Sequence, residues 1–328
     1  MSASTIPYQL RPNKAVDREL FLSLLGRLSG TLPIEDYTYI GLGGPFLEDF
    51  RLVHARLGLS DMISVEIEQS VHLRQEFNKP ASTIICIHAT MEEFLDIYDF
   101  EKPSIIWLDY TSAQNLPNQI ERFTRTVSEV ALNSIVRITL NASPDSLGSP
   151  KKGELIHKRD NGRDGSGTAL ECWRLEKFKE RMGNLFVAET KANGMSRDTY
   201  GVTLLSTLNN AIEDGKKYLF DRKILWGLAT HYADGQPMVT ATVIVVDPNS
   251  EAAISAAIEG WSYRSCPEAP HKLNMPSLST LERLTMESNS NPESIINYDL
   301  QDPSLGGNPF ESFKRFYRVF PHFARVDL

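Results

Sequence analysis

The stretch YTYIGLGGPFLEDF, residues 37–50, decides how the rest of the chain is read. Residues 37–40 have strand-forming character, run into Gly41-Leu42-Gly43-Gly44, and lead into EDFRLVHARLG, which reads as a helix. A strand that passes through glycines into a helix suits close backbone approach to a ligand, because glycine lacks the Cβ that would block contact and tolerates positive φ. The same residues also make a plain tight turn, and both readings stand at this point. Phe46 occupies the place of the third glycine in GxGxxG, so the segment is not a dinucleotide fingerprint.

The alternation recurs outward from this stretch. Further apolar segments lie at residues 62–67, 83–87, 105–108 and 135–140, separated by SVHLRQEFN, TMEEFLDIY and NQIERFTRTVSEVALN. Strand and helix in alternation predict βαβ units and a parallel sheet covered by helices. Ahead of them, AVDRELFLSLLGRLSG predicts an amphipathic helix, with Leu20, Phe21, Leu24, Leu25 and Leu28 at three- and four-residue steps. Beyond the fifth strand, NASPDSLGSPKKGELIHKRDNGRDGSG reads as loop. A helix over ALECWRLEKFKERMG, a strand-like FVAET and a helix near 199–219 follow. Then KILWGLATHY and PMVTATVIVV flank ADGQ, an antiparallel hairpin signal. After about residue 250, Ser279-Thr280-Leu281-Glu282 predicts a capping box at the start of a short helix.

Composition narrows the class. The chain has 328 residues, 34 Lys+Arg against 42 Asp+Glu, a net charge of −8, and 41% hydrophobic residues, which excludes a largely disordered chain. No apolar stretch approaches the ~18–20 residues needed to span a bilayer, and MSASTIPYQLRPNK is not a secretory signal. Three cysteines are too few and too scattered for a disulfide framework or zinc cluster, and the seven histidines form no metal pattern. The expectation is a cytoplasmic protein without a membrane or metal, as an oligomer or part of a larger complex if not alone. The acid is uneven: residues 142–198 hold 11 basic and 9 acidic groups, whereas residues 1–141 hold 12 and 18.

Five parallel strands, a helix and a terminal antiparallel hairpin resemble the seven-stranded sheet of the class I S-adenosylmethionine (SAM)-dependent methyltransferases. The resemblance covers residues 37–141 and the hairpin at 224–246, and rests on motif order. It implies an α/β, Rossmann-like, mostly parallel sheet over residues 1–250, with an insertion at 142–195 and a helical extension at 251–328 packed on it. It also implies SAM as cofactor, bound by Gly41, Gly43, Gly44 and Glu66. Glu66 ends the second strand in SVEIEQS, 25 residues beyond Gly41, where an acid can accept hydrogen bonds from both ribose hydroxyls. Glu68 is the neighbouring candidate, and a solvated strand-end acid is the plain alternative. In CIHATMEEFL, His88 stands where the family carries an Asp that contacts the adenine amino group.

Strand four ends in IIWLDYTS, which puts Asp109 and Tyr110 at the carboxyl end of a central strand, where ligands bind in open α/β sheets. Methyl transfer needs proximity and alignment, with a base only where the acceptor holds a proton. Asp109 would orient the acceptor or take its proton; a helix N-cap at Asp109, Thr111 or Ser112 is the structural alternative. Amino-directed methyltransferases resemble one another in a Pro-Pro-aromatic sequence after this acid, and here Tyr-Thr-Ser follows. None of the cysteines fits cytosine-C5 chemistry. Oxygen, or a less typical nitrogen acceptor, remains, with oxygen preferred.

Lys14, ahead of the first strand, resembles the lysine that ribose 2′-O-methyltransferases place there; alternatively it belongs, with Arg11 and Arg18, to a solvated helix start. Lys151, Lys152, Lys158 and Arg159 form a basic, glycine-rich run on the insertion that could meet the phosphates of RNA or DNA. The aromatic and basic residues at 310–325 suit either base stacking or packing on the main sheet. The leading expectation is a methyltransferase for a nucleic acid or other large polar substrate. A catalytically degenerate SAM-binding module serving a larger assembly, and a small-molecule O-methyltransferase, are the alternatives.

Overall fold

The computed structural model describes residues 11–151, 167–216, 221–300, 305 and 307–321. The five expected strands form within a residue or two of their places: β1 (Thr38–Gly41), β2 (Met62–Glu66), β3 (Ile84–His88), β4 (Ser104–Asp109) and β5 (Ile135–Asn141). All run parallel, with β1 paired to both β2 and β4. The hairpin strands β6 (Lys223–Asp234) and β7 (Gln236–Val246) follow, and β7 enters the sheet antiparallel to β5. An eighth strand, β8 (His271–Leu273), pairs in parallel with β6. The full order is β3-β2-β1-β4-β5-β7-β6-β8. The sheet thus has the Rossmann-like order with a terminal antiparallel hairpin that the sequence predicts, extended by one short strand from the C-terminal segment.

Helices cover both faces, in two separate hydrophobic clusters. On one face lie α1 (Pro12–Leu28), α2 (Glu48–Leu57) and α8 (Glu251–Ile258), with the apolar residues of α9 (Thr280–Ser288) and α10 (Pro309–Phe316). On the other lie α4 (Met91–Ile97), α5 (Leu116–Glu129), α6 (Ala169–Met182) and α7 (Tyr200–Lys216). Helix α3 (Gln69–Asn78) sits beside β2 and β3. Capping boxes start α4, α6 and α9, through Thr90–Glu93, Thr168–Glu171 and the expected Ser279–Glu282. The tail aromatics Phe313 and Phe316 are core residues, and Tyr317 and Phe320 pack against them; Phe323 and Arg325 lie outside the described residues.

Two expectations change. FVAET at 186–190 is no strand: the Thr190 N–H closes a turn on the Val187 carbonyl. β5, the strand that precedes it in the chain, already has β4 and β7 on its two sides and offers it no edge, and Phe186 packs on Phe178 instead. Helix α1 is also not a plain amphipathic helix with a solvated start. It is wedged between the sheet and the C-terminal elements, so Asn13, Lys14, Asp17 and Arg18 are all buried with its leucines.

That burial is sustained by partners. Asp17 Oδ2 accepts from Arg137 at 2.5 Å, and its Oδ1 accepts from Thr230 (2.7 Å) and Thr240 (3.0 Å). The Arg137 guanidinium lies between the Phe21 and Trp107 rings, 4.6 and 4.7 Å from their centroids.

Candidate functional site

The strand ends β1, β2 and β4 place the expected residues along the carboxyl edge of the sheet. After β1 the chain turns through Gly43, where a Cβ would sit 2.2 Å from Leu47 Cδ2 and 2.7 Å from Ser64 Oγ. Only glycine fits there. Gly44 has φ +54°, a region L residues rarely adopt. Leu47, itself left-handed at φ 52°, is wholly buried and immediately precedes α2. Gly41 differs: a Cβ there would meet nothing closer than 3.5 Å. That is ordinary contact distance to Tyr39 and Trp107, so the packing tolerates a side chain at this position and does not by itself demand glycine.

Glu66 ends β2, half-buried, and its Oε1 accepts from the Glu68 N–H at 2.8 Å. The bend orients the carboxylate while Ile67, 60% exposed, presents an apolar surface beside it. His88 pairs in register with Glu66, and its Nε2 lies 2.8 Å from the Ile67 carbonyl. Nε2 must therefore carry the proton it donates to that carbonyl. Glu66, Ile67 and His88 form one group at the β2–β3 end.

At the β4 end, Lys14 Nζ lies 3.1 Å from Asp109 Oδ2. Two residues 95 positions apart meet because α1 packs along β6 with its first turn held at the hairpin tip, from which the Lys14 side chain reaches the end of β4. Asp234, at the tip of the hairpin, fixes that turn: its Oδ1 accepts from the Asn13 N–H (3.2 Å) and side-chain amide (2.9 Å), and its Oδ2 from the Lys14 N–H (2.7 Å). A carboxylate there meets unpaired helix N–H groups and the positive end of the helix dipole. Burial pushes the Asp109 carboxyl up, but the Lys14 ammonium outweighs it and holds the pKa below the ordinary value. Asp109 Oδ1 is buried and meets no hydrogen-bond partner in good geometry among the described residues, while the Thr139 hydroxyl on the neighbouring strand lies close enough to help hold the carboxyl's pKa down. An acceptor so poorly served is costly unless something comes to donate to it.

Tyr110 is not part of this pair. Strand alternation sends it to the other face, where its hydroxyl donates to Glu92 Oε1 of α4 at 2.9 Å. Burial, then Glu92, raises its pKa well above the ordinary value, so it stays a phenol. The loop after it is held by Asn141, Gln119 and Arg181, which donate to the Thr111, Ser112 and Ala113 carbonyls. Lys151 is exposed, whereas Lys152, Lys158 and Arg159 lie outside the described residues. Arg18 pairs with Asp49 and Glu48, tying α1 to the start of α2 rather than to solvent. Asp234 and Ile67 escaped the sequence reading. Asp234 looked like a hairpin residue, and only its position against a helix start gives it a role.

The residues present fit SAM: a glycine turn bare of side chains at the β1 end, an acid with an apolar neighbour at the β2 end, and an acceptor oxygen without a hydrogen bond in good geometry at the β4 end. Among the described residues no group of side chains could hold a metal, and no helix is long and apolar enough to cross a membrane.

A family model described as "Putative O-methyltransferase" matches residues 6–328. No curated protein matches the chain. Among solved structures the chain is similar to Trm1 from Pyrococcus horikoshii in complex with S-adenosyl-L-methionine, at 12% identity and a TM-score of 0.44, over 72% of this chain and 56% of that one. It thus spans little more than half the length of that protein. It is also similar to the N-methyltransferase NodS from Bradyrhizobium japonicum WM9, at 8% identity and a TM-score of 0.38, over 70% of this chain and 96% of that one. The plantazolicin methyltransferase BpumL, in complex with a triazolic desmethylPZN analog and SAH, matches at 11% identity and a TM-score of 0.41, over 74% of this chain and 86% of that one.

Proposed function

This chain belongs to that O-methyltransferase family, within the class I SAM-dependent superfamily, and on that premise we propose that it transfers a methyl group to an oxygen acceptor held at Lys14 and Asp109. The observation that carries this reading is the buried Lys14–Asp109 pair at the end of β4, with a carboxylate oxygen that has no hydrogen bond in good geometry.

SAM, when bound, supplies a methyl group on a sulfonium for in-line displacement by the acceptor. Gly41, Gly43 and Gly44 would give it backbone access, Glu66 would take the ribose hydroxyls, and Ile67 and His88 would flank the base. Asp109 stays anionic at neutral pH, since its pKa is held down by Lys14. Its Oδ1 can accept the acceptor's O–H, aiming an oxygen lone pair and drawing the proton off as the new bond forms. The Lys14 ammonium stabilises negative charge developing on the same oxygen. Tyr110, committed to Glu92, shapes the far side of the strand end and moves no proton. An oxygen acceptor suits a lysine–aspartate pair followed by Tyr-Thr-Ser. A nucleic acid rests only on the sequence of the basic run, so the acceptor's size is left to experiment.

Calorimetry with SAM, followed by labelled-methyl transfer to panels of small hydroxy compounds, peptides, RNA and DNA, tests the reading. Lys14→Met and Asp109→Asn should each lower the transfer rate by roughly 10²–10⁴-fold with SAM affinity within about threefold of wild type. Transfer at the wild-type rate in both variants would sink the assignment. SAM binding with no transfer to any class would instead favour a SAM-binding module without catalysis.

A further inference from the structure

The glycine loop after β1 is held from outside by residues that the cofactor reading does not use. Three side chains grip it. Ser64 Oγ of β2 accepts from the Gly43 N–H at 3.2 Å; Gln75 Nε2 donates to the Gly44 carbonyl at 3.0 Å; Asn78 Nδ2 donates to the Pro45 carbonyl at 2.8 Å. Gln75 and Asn78 stand three apart on α3, so they share the helix face that meets the loop. Gln75 is fully buried, although glutamine is a residue type normally found in solvent.

The consequence follows from peptide geometry. A trans peptide points its C=O and N–H in opposite directions, and no peptide bond here is cis. Asn78 draws the Pro45 carbonyl towards α3, so the Phe46 N–H in the same peptide unit points away from α3. The Gly43 carbonyl accepts from the Leu47 N–H at 3.0 Å, so the Gly44 N–H points away from the entry to α2. Neither the Gly44 nor the Phe46 N–H has a hydrogen-bond partner among the described residues. The loop also contains two left-handed residues, Gly44 and Leu47, and would relax to other conformations without external restraint.

We propose that Gln75 and Asn78 are positioning residues for SAM: Asn78, by holding the Pro45 carbonyl on α3, keeps the Phe46 N–H aimed at an acceptor oxygen of the cofactor, and Gln75, by holding the Gly44 carbonyl, fixes the left-handed Gly44 residue and with it the direction of its own N–H. This rests on SAM as the ligand of the loop. Neither side chain needs to touch the cofactor; their effect is to pre-organise the donors, so that binding does not also have to order the loop.

The test is SAM affinity by calorimetry, alongside thermal unfolding, in the full chain. Gln75→Met keeps the length and packing of the side chain but removes its donor; Asn78→Ala removes the second at a half-buried position. Each should weaken SAM binding roughly 3–10-fold, the scale of one neutral hydrogen bond, and the pair together more than either. Asn78→Ala should do so with unfolding temperature nearly unchanged, which separates positioning from plain stability. Asn78→Ala covers the case in which Gln75→Met fails to fold. Wild-type affinity in a folded Asn78→Ala variant, or affinity lost only in proportion to stability, would overturn the proposal. An absence of SAM binding to the wild-type chain would overturn the cofactor reading on which the proposal rests.

Discussion

His231 is fully buried on β6, yet neither ring nitrogen has a hydrogen-bond partner among the described residues. Its ring lies against Gly201 of α7, where a Cβ would come within 2.8 Å of Nε2, so the helix contacts it through bare backbone. Arg137, also buried in the sheet, is received by Asp17, Thr242 and two aromatic rings. His231 has no such reception and must fold neutral. Burial, with Lys272 on the adjacent β8 adding to it, lowers its pKa to about 4. The unfolded chain titrates this ring near the ordinary ~6.5. The stability linked to His231 is therefore whole above about pH 6.5, is lost as pH falls towards 4, and changes no further below that. The span corresponds to on the order of 3 kcal/mol. Urea denaturation of wild type and His231→Leu at pH 7, 6, 5 and 4 measures it: the wild type should lose its advantage over the variant across this window. A constant difference between the two at all four pH values would refute the titration.

At the scale of elements, α1 does what its sequence conceals. The spacing of Leu20, Phe21, Leu24, Leu25 and Leu28 predicts a helix with one wet side, and the helix forms, but its polar first turn is buried as well. Asp234 makes that possible by serving as the N-cap that Arg11 cannot be, since Arg11 makes no side-chain cap bond. The same carboxylate sets Lys14 over Asp109. Asp234→Ala should cost roughly 1–3 kcal/mol in urea denaturation, the scale of a lost cap with buried amides left unpaired. It should also lower labelled-methyl transfer, because Lys14 loses its aim, while SAM affinity stays near wild type. Unchanged stability and transfer would show the contact to be incidental. The strand–helix alternation was legible because period-two and period-3.6 patterns are local properties of a segment. Lys14 and Asp109 could be picked out as candidates from residue type and place in the strand order alone. That they meet, that Asp234 caps a helix 220 positions upstream, and that α3 grips the glycine loop were not legible, since each depends on how distant elements pack. FVAET failed for the related reason that a strand-like segment becomes a strand only where a neighbouring strand offers it an edge.

At the scale of the molecule, residues from 251 onward complete the sheet's main core rather than decorate it. Trp261, Leu273, Met275, Met286, Phe313 and Phe316 are buried in the same cluster as Phe21, Leu24 and Trp107. Six such side chains, at roughly 1.5–3 kcal/mol each, represent on the order of 10–15 kcal/mol, an upper figure because unfolded chains already bury some of this surface. Whole domains are stable by only about 5–15 kcal/mol. The segment also reaches the candidate site: the Met275 N–H donates to Asn13 Oδ1 at 2.6 Å, and Asn13 is held by Asp234 beside Lys14. A chain ending at residue 250 should consequently fail to fold, because it removes as much stabilisation as the remainder can supply and uncovers the apolar surface around α1. Circular dichroism and thermal unfolding of the soluble fraction would show no cooperative transition. SAM affinity measured on any folded remainder decides the alternative. A truncated chain that unfolds cooperatively and binds SAM as the full chain does would make this segment an accessory, and its six buried side chains dispensable to the core.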